Sequence, residues 1–134
     1  MTLNSKSRTL LTILLLLSLA GVSTSAQKPK KTDPCADPQT QVEMTQCAAN
    51  AYKAADAVLN QIYKQMVAKL DEEEKVQLKE AQNAWLKYRD ANCDFVADQY
   101  KGGTMRPMIY AGCLEDVTKK RTTELKTQIE ERSH

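Results

Sequence analysis

Histidine is almost absent from this 134-residue sequence, because the single one, His134, is the last residue. Ser-His-Asp and Cys-His catalytic sites need an imidazole that is held in position, which a chain terminus does not provide. The four cysteines are not arranged in CxxC pairs, so the common zinc-binding patterns are missing as well. We therefore predict a protein that is not an enzyme and that has no catalytic residues, no metal site and no cofactor.

Glycine and proline are also scarce, with four of each. An all-β domain needs many tight turns, and glycine and proline are among the residues that such turns favour. Alanine, lysine, glutamate, glutamine and leucine dominate instead, and all five are strong helix formers. The composition therefore predicts an all-α protein.

The sequence has one continuous apolar run, and it lies near the amino terminus. Lys6 and Arg8 precede the apolar residues 10–20, and small residues follow as far as Ala26. This order is typical of a secretory signal peptide. The apolar run is too short for a membrane-spanning helix, which needs about 20 residues. We predict a signal peptide over residues 1–26, with no stable membrane insertion after cleavage. Because no cysteine lies at the cleavage point, we expect an exported, soluble, periplasmic or secreted protein and not a lipoprotein.

An excess of charge of one sign is missing as well. The whole chain has 19 Lys and Arg against 17 Asp and Glu, and the leader contains two of the cations, Lys6 and Arg8. The mature chain of 108 residues is therefore neutral. A neutral chain without a basic face gives no basis for nucleic-acid binding.

All four cysteines lie in the mature chain, and an even number in a small exported domain predicts two disulfides. Three pairings are possible. We prefer nearest-in-sequence pairing, Cys35 with Cys47 and Cys93 with Cys113, since it closes two short loops. The alternative bridge, Cys47 with Cys93, would join the first helix directly to the second.

Helix signals divide the rest of the chain into three segments. Residues 27–38 form a basic, proline-containing lead-in that we expect to be flexible. Thr40 and Glu43 have the spacing of a capping box, and a helical apolar pattern follows over about residues 40–69. Asp71 and Glu74 repeat that spacing and predict a second helix, which should end near Tyr100. Its apolar stripe contains Leu78, Ala81, Trp85, Tyr88, Asn92, and Phe95 or Val96.

The third segment follows the one clear interior loop, residues 101–107. Gly102 and Gly103 end the second helix, and Pro107 can open the next one. The third apolar stripe continues to Ile129. We predict a small three-helix bundle over residues 35–129, built on a long antiparallel hairpin of the first two helices and crosslinked by two disulfides.

Three charged residues fall on the apolar stripes. They are Asp56, Arg89 and Arg121, and a charge that faces a core is costly unless it is paired. Asp56 and Arg89 lie at similar distances from the turn between the first two helices, so we predict that Asp56 pairs with Arg89 or with Arg121. Together with Gln82 and Trp85, these residues are interpreted as a structural polar core.

The combined pattern resembles a known family. The matching residues are Cys35, Thr45 to Cys47, Tyr52, Asp56 to Tyr63, Leu78, Ala81 to Cys93, Gly102 to Thr104, Cys113, Thr118, Arg121 and Leu125. They are similar to the LprI-type lysozyme-inhibitor domain over about residues 35–125. The resemblance implies a small exported helical domain with disulfides, and a lysozyme that cuts peptidoglycan as its protein partner. The alternative function is that of a helical envelope interaction or stress module without inhibitory activity.

Two segments are candidate partner-binding sites, and no sequence signal predicts the oligomeric state. A lysozyme cleft contains two carboxylates, so a rigid loop that presents a cation could block it. The first candidate is that loop, with Lys101, Gly102, Gly103, Thr104 and Arg106. The second candidate is the acidic turn at the opposite end of the hairpin, with Asp71, Glu72, Glu73 and Glu74, which could bind a basic partner.

Overall fold

The computed structural model describes residues 33–133, and the prediction of an all-α fold is confirmed. The chain forms three helices, α1 (Gln41–Val67), α2 (Glu72–Asp98) and α3 (Arg106–Glu131), and residues 33–133 contain no strand. The predicted signal peptide and the first six residues of the lead-in lie outside the described residues. The first helix ends two residues before its predicted end, because backbone hydrogen bonds from Lys69 to Met66 and from Leu70 to Val67 close tighter turns there.

Both predicted capping boxes are present. In the first, the Glu43 amide donates to Thr40 Oγ1 over 3.2 Å, while the Thr40 amide donates to Glu43 Oε2 over 3.0 Å. In the second, the Glu74 amide donates to Asp71 Oδ1 over 2.9 Å and the Asp71 amide donates to Glu74 Oε2 over 3.2 Å. Each box pairs backbone amides that the helix itself cannot pair, which defines where α1 and α2 begin.

Contacts along α3 establish how the three helices are arranged. At the start of α3, Met108 accepts a hydrogen bond from Gln41 of α1, and beyond its end Ser133 accepts one from Lys69. These two contacts show that α3 runs parallel to α1. Arg132 pairs with Glu74 at the start of α2, so α3 runs antiparallel to α2. The backbone of α3 lies close to both α1 and α2, which approach each other less closely.

The apolar core lies in the half of the bundle next to the acidic turn. It consists of Leu59, Ile62, Met66, Leu70, Leu78 and Leu125, with Tyr63, Val67, Trp85 and Ile129 packed against it. The opposite half is filled by smaller side chains, among them Cys93 and Ala97, which are fully buried. The second half therefore depends less on large apolar side chains and more on covalent crosslinks.

The preferred disulfide pairing is confirmed, and the alternative Cys47–Cys93 bridge is wrong. Cys35 pairs with Cys47, and Cys93 pairs with Cys113, each with a Cα–Cα distance of 5.5 Å. The first bridge ties the lead-in to α1. The second joins α2 to α3 on either side of the interior loop.

Candidate functional site

The interior loop is the most exposed segment between two helices. Residues 99–105 are all exposed, and Gly102 has a φ of 78°, a left-handed conformation that favours glycine. The Gly103 amide donates to the Tyr100 carbonyl over 2.9 Å, which closes the turn. The Cys93–Cys113 bridge fixes the two helices that flank the loop. The predicted residues Lys101, Gly102, Gly103 and Thr104 are thus presented together on a covalently closed loop.

Arg106, the fifth predicted loop residue, lies differently. Its Nη2 atom is 3.1 Å from Asp94 Oδ1 and 3.2 Å from Asp98 Oδ1, both on the last turns of α2. Hydrogen bonds to Asp98 and Asp94 raise the pKa of Arg106 above its ordinary value. The guanidinium therefore ties the loop back onto α2, and Lys101 is the cation that the loop itself presents.

The acidic turn at the other end of the bundle is largely engaged within the chain. Asp71 and Glu74 form the capping box, and Glu74 also pairs with Arg132 over 2.7 Å. Glu72 pairs with Lys75 over 2.6 Å, although its side chain stays 91% exposed. Among the described residues, Glu73 is the one member of the turn whose side chain makes no hydrogen bond or ion pair. Helix capping therefore explains most of this acidic cluster.

The structure brings all five predicted polar-core residues into two clusters, with Asp56, Trp85 and Arg89 in the first. The Arg89 guanidinium carbon lies 5.5 Å from the centre of the Tyr52 ring and 5.3 Å from that of Trp85. Its Nη1 atom is 3.6 Å from Asp56 Oδ1, so Arg89, and not Arg121, is the partner of Asp56. Arg89 Nε and Nη2 both bond Asp90 Oδ1 over 2.8 Å. A buried cation between two rings therefore joins α1 to α2.

The second cluster joins α2 to α3. Arg121 Nε donates to Gln82 Oε1 over 3.1 Å, and Arg121 Nη1 pairs with Glu124 over 3.0 Å.

The pKa of Tyr52, in the first cluster, is raised by burial, with Arg89 opposing that effect and Asp56 and Asp90 adding to it. Tyr52 therefore remains a neutral phenol over the physiological pH range.

The apolar stripe predicted for α2 was wrong at Ala81 and Tyr88, which are both exposed, Tyr88 by 59%. Of the two alternatives at its end, Val96 is half-buried and Phe95 is 77% exposed. Arg89, which was expected on the stripe, and Cys93 are buried. A stripe with a spacing of four residues, which contains residues 85, 89, 93 and 97, describes the buried face of α2 better. The signal for it was Cys93, because a cysteine bonded to α3 must face the bundle.

No helix among residues 33–133 has both the length and the apolar character that crossing a bilayer takes. Nor does that part of the chain contain a group of three His, Cys, Asp or Glu side chains placed to hold a metal ion.

Comparisons with known proteins place this geometry in context. The family model described as "Lysozyme inhibitor LprI" matches residues 33–125. The chain is also 36% identical over 128 residues to the uncharacterized protein R02472 of Rhizobium meliloti (strain 1021), and the alignment covers 85% of this chain and 92% of the relative. No solved structure matches the chain. The matched residues include both disulfides, the Arg89 cluster and the interior loop.

Proposed function

Because the chain belongs to the LprI lysozyme-inhibitor family, we propose that it binds a peptidoglycan-cleaving lysozyme and blocks its active-site cleft. The family match over residues 33–125 is the observation that carries this proposal. The two disulfides support export, since such bonds persist in oxidising compartments. We propose that the protein acts in the periplasm or after secretion, following removal of residues 1–26.

The contact we propose is the loop of residues 101–104. A glycosidase cleft contains two carboxylates, which attract a cation and accept hydrogen bonds. Lys101 supplies an ammonium group, and Thr104 supplies a hydroxyl group. The closed loop loses little conformational entropy on binding, because the Cys93–Cys113 bridge and the Arg106 ion pairs already restrict it. Arg106 positions the loop in this proposal and does not itself enter the cleft.

The acidic turn remains the second candidate contact. A cationic lysozyme surface could bind Glu72 and Glu73, the two members that take no part in the capping box. The two sites lie at opposite ends of the bundle, so substitutions at one leave the other intact. This separation allows each candidate site to be tested by itself.

The test is a lysis assay of bacterial cell walls with the purified mature protein and several types of lysozyme. We expect the wild-type protein to slow lysis, and the pair Lys101→Ala and Thr104→Ala to remove most of that effect. Lys79→Ala is the matched control, because Lys79 is an exposed lysine of α2 without an ion pair among the described residues. Retained inhibition in the loop variant, with loss in a Glu72→Lys, Glu73→Lys variant, would assign the contact to the acidic turn. No inhibition of any lysozyme type by the wild-type protein would refute the proposed function.

A further inference from the structure

The outer face of α2 carries two large aromatic rings that nothing in the described part of the chain covers. Phe95 is 77% exposed and Tyr88 is 59% exposed, in a sequence whose aromatic content is 5%. They are seven residues apart and therefore lie on the same side of the helix, two turns from each other. Ala91 lies between them. Aromatic side chains are enriched in interfaces, so two exposed rings on one side of a helix make this face a candidate surface for binding another molecule.

The charges that flank the two rings have opposite signs. Lys87 precedes Tyr88 and has no ion pair among the described residues, while Asp94 precedes Phe95 and keeps 61% of its side chain exposed. Asp94 and Asp98 share the single guanidinium of Arg106, so neither carboxylate is fully compensated. The face is therefore cationic toward the start of the helix and anionic toward its end.

The face is complementary to the same face of a second copy that runs in the opposite direction. We propose that the outer face of α2, defined by Ala84, Lys87, Tyr88, Ala91, Asp94 and Phe95, binds the same face of a second copy of this chain. A two-fold axis near Ala91 would make the two α2 helices antiparallel. In that orientation Lys87 of each copy meets Asp94 of the other, and each Tyr88 ring meets the other copy's Phe95 ring.

Side-chain size fits the same arrangement. Alanine lies at the axis, and Ala84 lies one heptad before it, so small side chains allow the two helices to approach closely. Aromatic pairs and an opposed ion pair then flank the contact on both sides. Every contact in such an interface occurs twice, which is the property of a two-fold dimer. A partner surface with charge of one sign is disfavoured, because either Lys87 or Asp94 would repel it.

The dimer would leave both loops accessible. The loop follows the end of α2, so in an antiparallel pair the two loops lie at opposite ends of the contact, beyond helix ends that are roughly 21 Å apart at 1.5 Å per residue. The dimer is thus compatible with two independent binding sites. Its existence can be tested without any lysozyme.

Sedimentation equilibrium of the mature protein tests the proposal. We expect a reversible dimer with a dissociation constant in the micromolar range, as suits a small interface. Phe95→Ala should weaken the dimer at least tenfold. Val76→Ala, which shortens a 57% exposed residue elsewhere on α2, should leave the dissociation constant unchanged. A monomeric wild-type protein at all concentrations, or a Phe95→Ala variant that dimerises as well as wild type, would overturn the proposal.

A charge exchange gives a second test. Lys87→Glu and Asp94→Lys should each weaken the dimer, and the doubly substituted chain should recover it, since the opposed charges are restored. An Ala91→Cys variant provides an independent check that does not alter the charges. We expect it to form a disulfide-linked dimer on oxidation, whereas a cysteine at the exposed position Lys79 should not. Failure of both the charge recovery and the Ala91→Cys crosslink would show that the face does not bind a second copy.

Discussion

Arg89 is the charged residue whose replacement should reveal most about the stability of the bundle. It is 8% exposed and lies between the rings of Tyr52 and Trp85. Replacing it by alanine removes two cation–π contacts, at about 1 kcal/mol each. The change also removes the packing of the Cγ and Cδ methylenes of the side-chain stem, which contribute about 0.8 kcal/mol each when buried. We therefore expect Arg89→Ala to lower the free energy of unfolding by about 4 kcal/mol.

Arg89→Met separates the contribution of packing from that of charge. Methionine keeps a stem of similar length, and its sulfur makes favourable contacts with both rings. The carboxylates left behind, Asp56 and Asp90, have side chains that are 38% and 53% exposed, so water can solvate them. A buried ion pair replaced by an apolar side chain of similar volume is often near neutral, and we expect a loss of about 1 kcal/mol.

Urea unfolding followed by far-UV circular dichroism, with the disulfides intact, measures both values. Arg132→Met is the control, because Arg132 pairs with Glu74 at the surface and should contribute less than about 1 kcal/mol. If Arg89→Met destabilises the protein as much as Arg89→Ala does, the charge dominates and the packing argument is refuted. If neither variant loses more than the control, the contact with the two rings contributes nothing to stability.

Three further predictions concern other parts of the bundle. Replacing Cys93 and Cys113, which are 20 residues apart, by alanine should lower the unfolding free energy by about 3 kcal/mol in urea, and an unchanged midpoint would contradict this. Backbone amides hold the pKa of Glu43 below its ordinary value, so its contribution is present at neutral pH and is lost as the pH falls through that lowered pKa. The stability difference between wild type and Glu43→Gln should accordingly shrink between neutral pH and about pH 3, and a constant difference would show that the charge is not involved. The buried hydroxyl group of Thr118 has no partner among the described residues, whereas the hydroxyl group of Thr122 donates to the Thr118 carbonyl. Thermal unfolding should therefore show that Thr118→Val is neutral or stabilising and that Thr122→Val destabilises the protein by about 1 kcal/mol.

Local signals in the sequence predicted most of the fold. Helix ends depend on side chains within four residues of each other, and the capping boxes at Thr40 and Asp71 are of that kind. The disulfide pairing followed from loop length alone. The inward face of α2 followed only in part, because Arg89 is buried as expected, whereas the apolar residues Tyr88 and Phe95 face outward. Arg89 can occupy that position only because rings and carboxylates from two helices surround it, which a single stripe does not reveal.

The sequence predicted which residues form the exposed loop, but not which contacts Arg106 makes. The exposure of the loop follows from Gly102 and Gly103, which the sequence displays directly. The engagement of Arg106 with Asp94 and Asp98 depends on how sharply the chain reverses after α2, and no sequence spacing specifies that reversal. The sequence also did not predict the central position of α3, since helix periodicity identifies a buried face but not the helix that packs against it.

The position of α3 has a consequence for how the chain acquires its structure. Since α1 and α2 each lie against α3 more closely than against each other, the first two helices cannot complete the core alone. Leu125, which is fully buried in that core, lies on α3 and follows every core residue of α1 and α2 in the sequence. A nascent chain that stops before residue 106 therefore lacks the element that orders it. We therefore expect the chain to fold only after α3 has been synthesised.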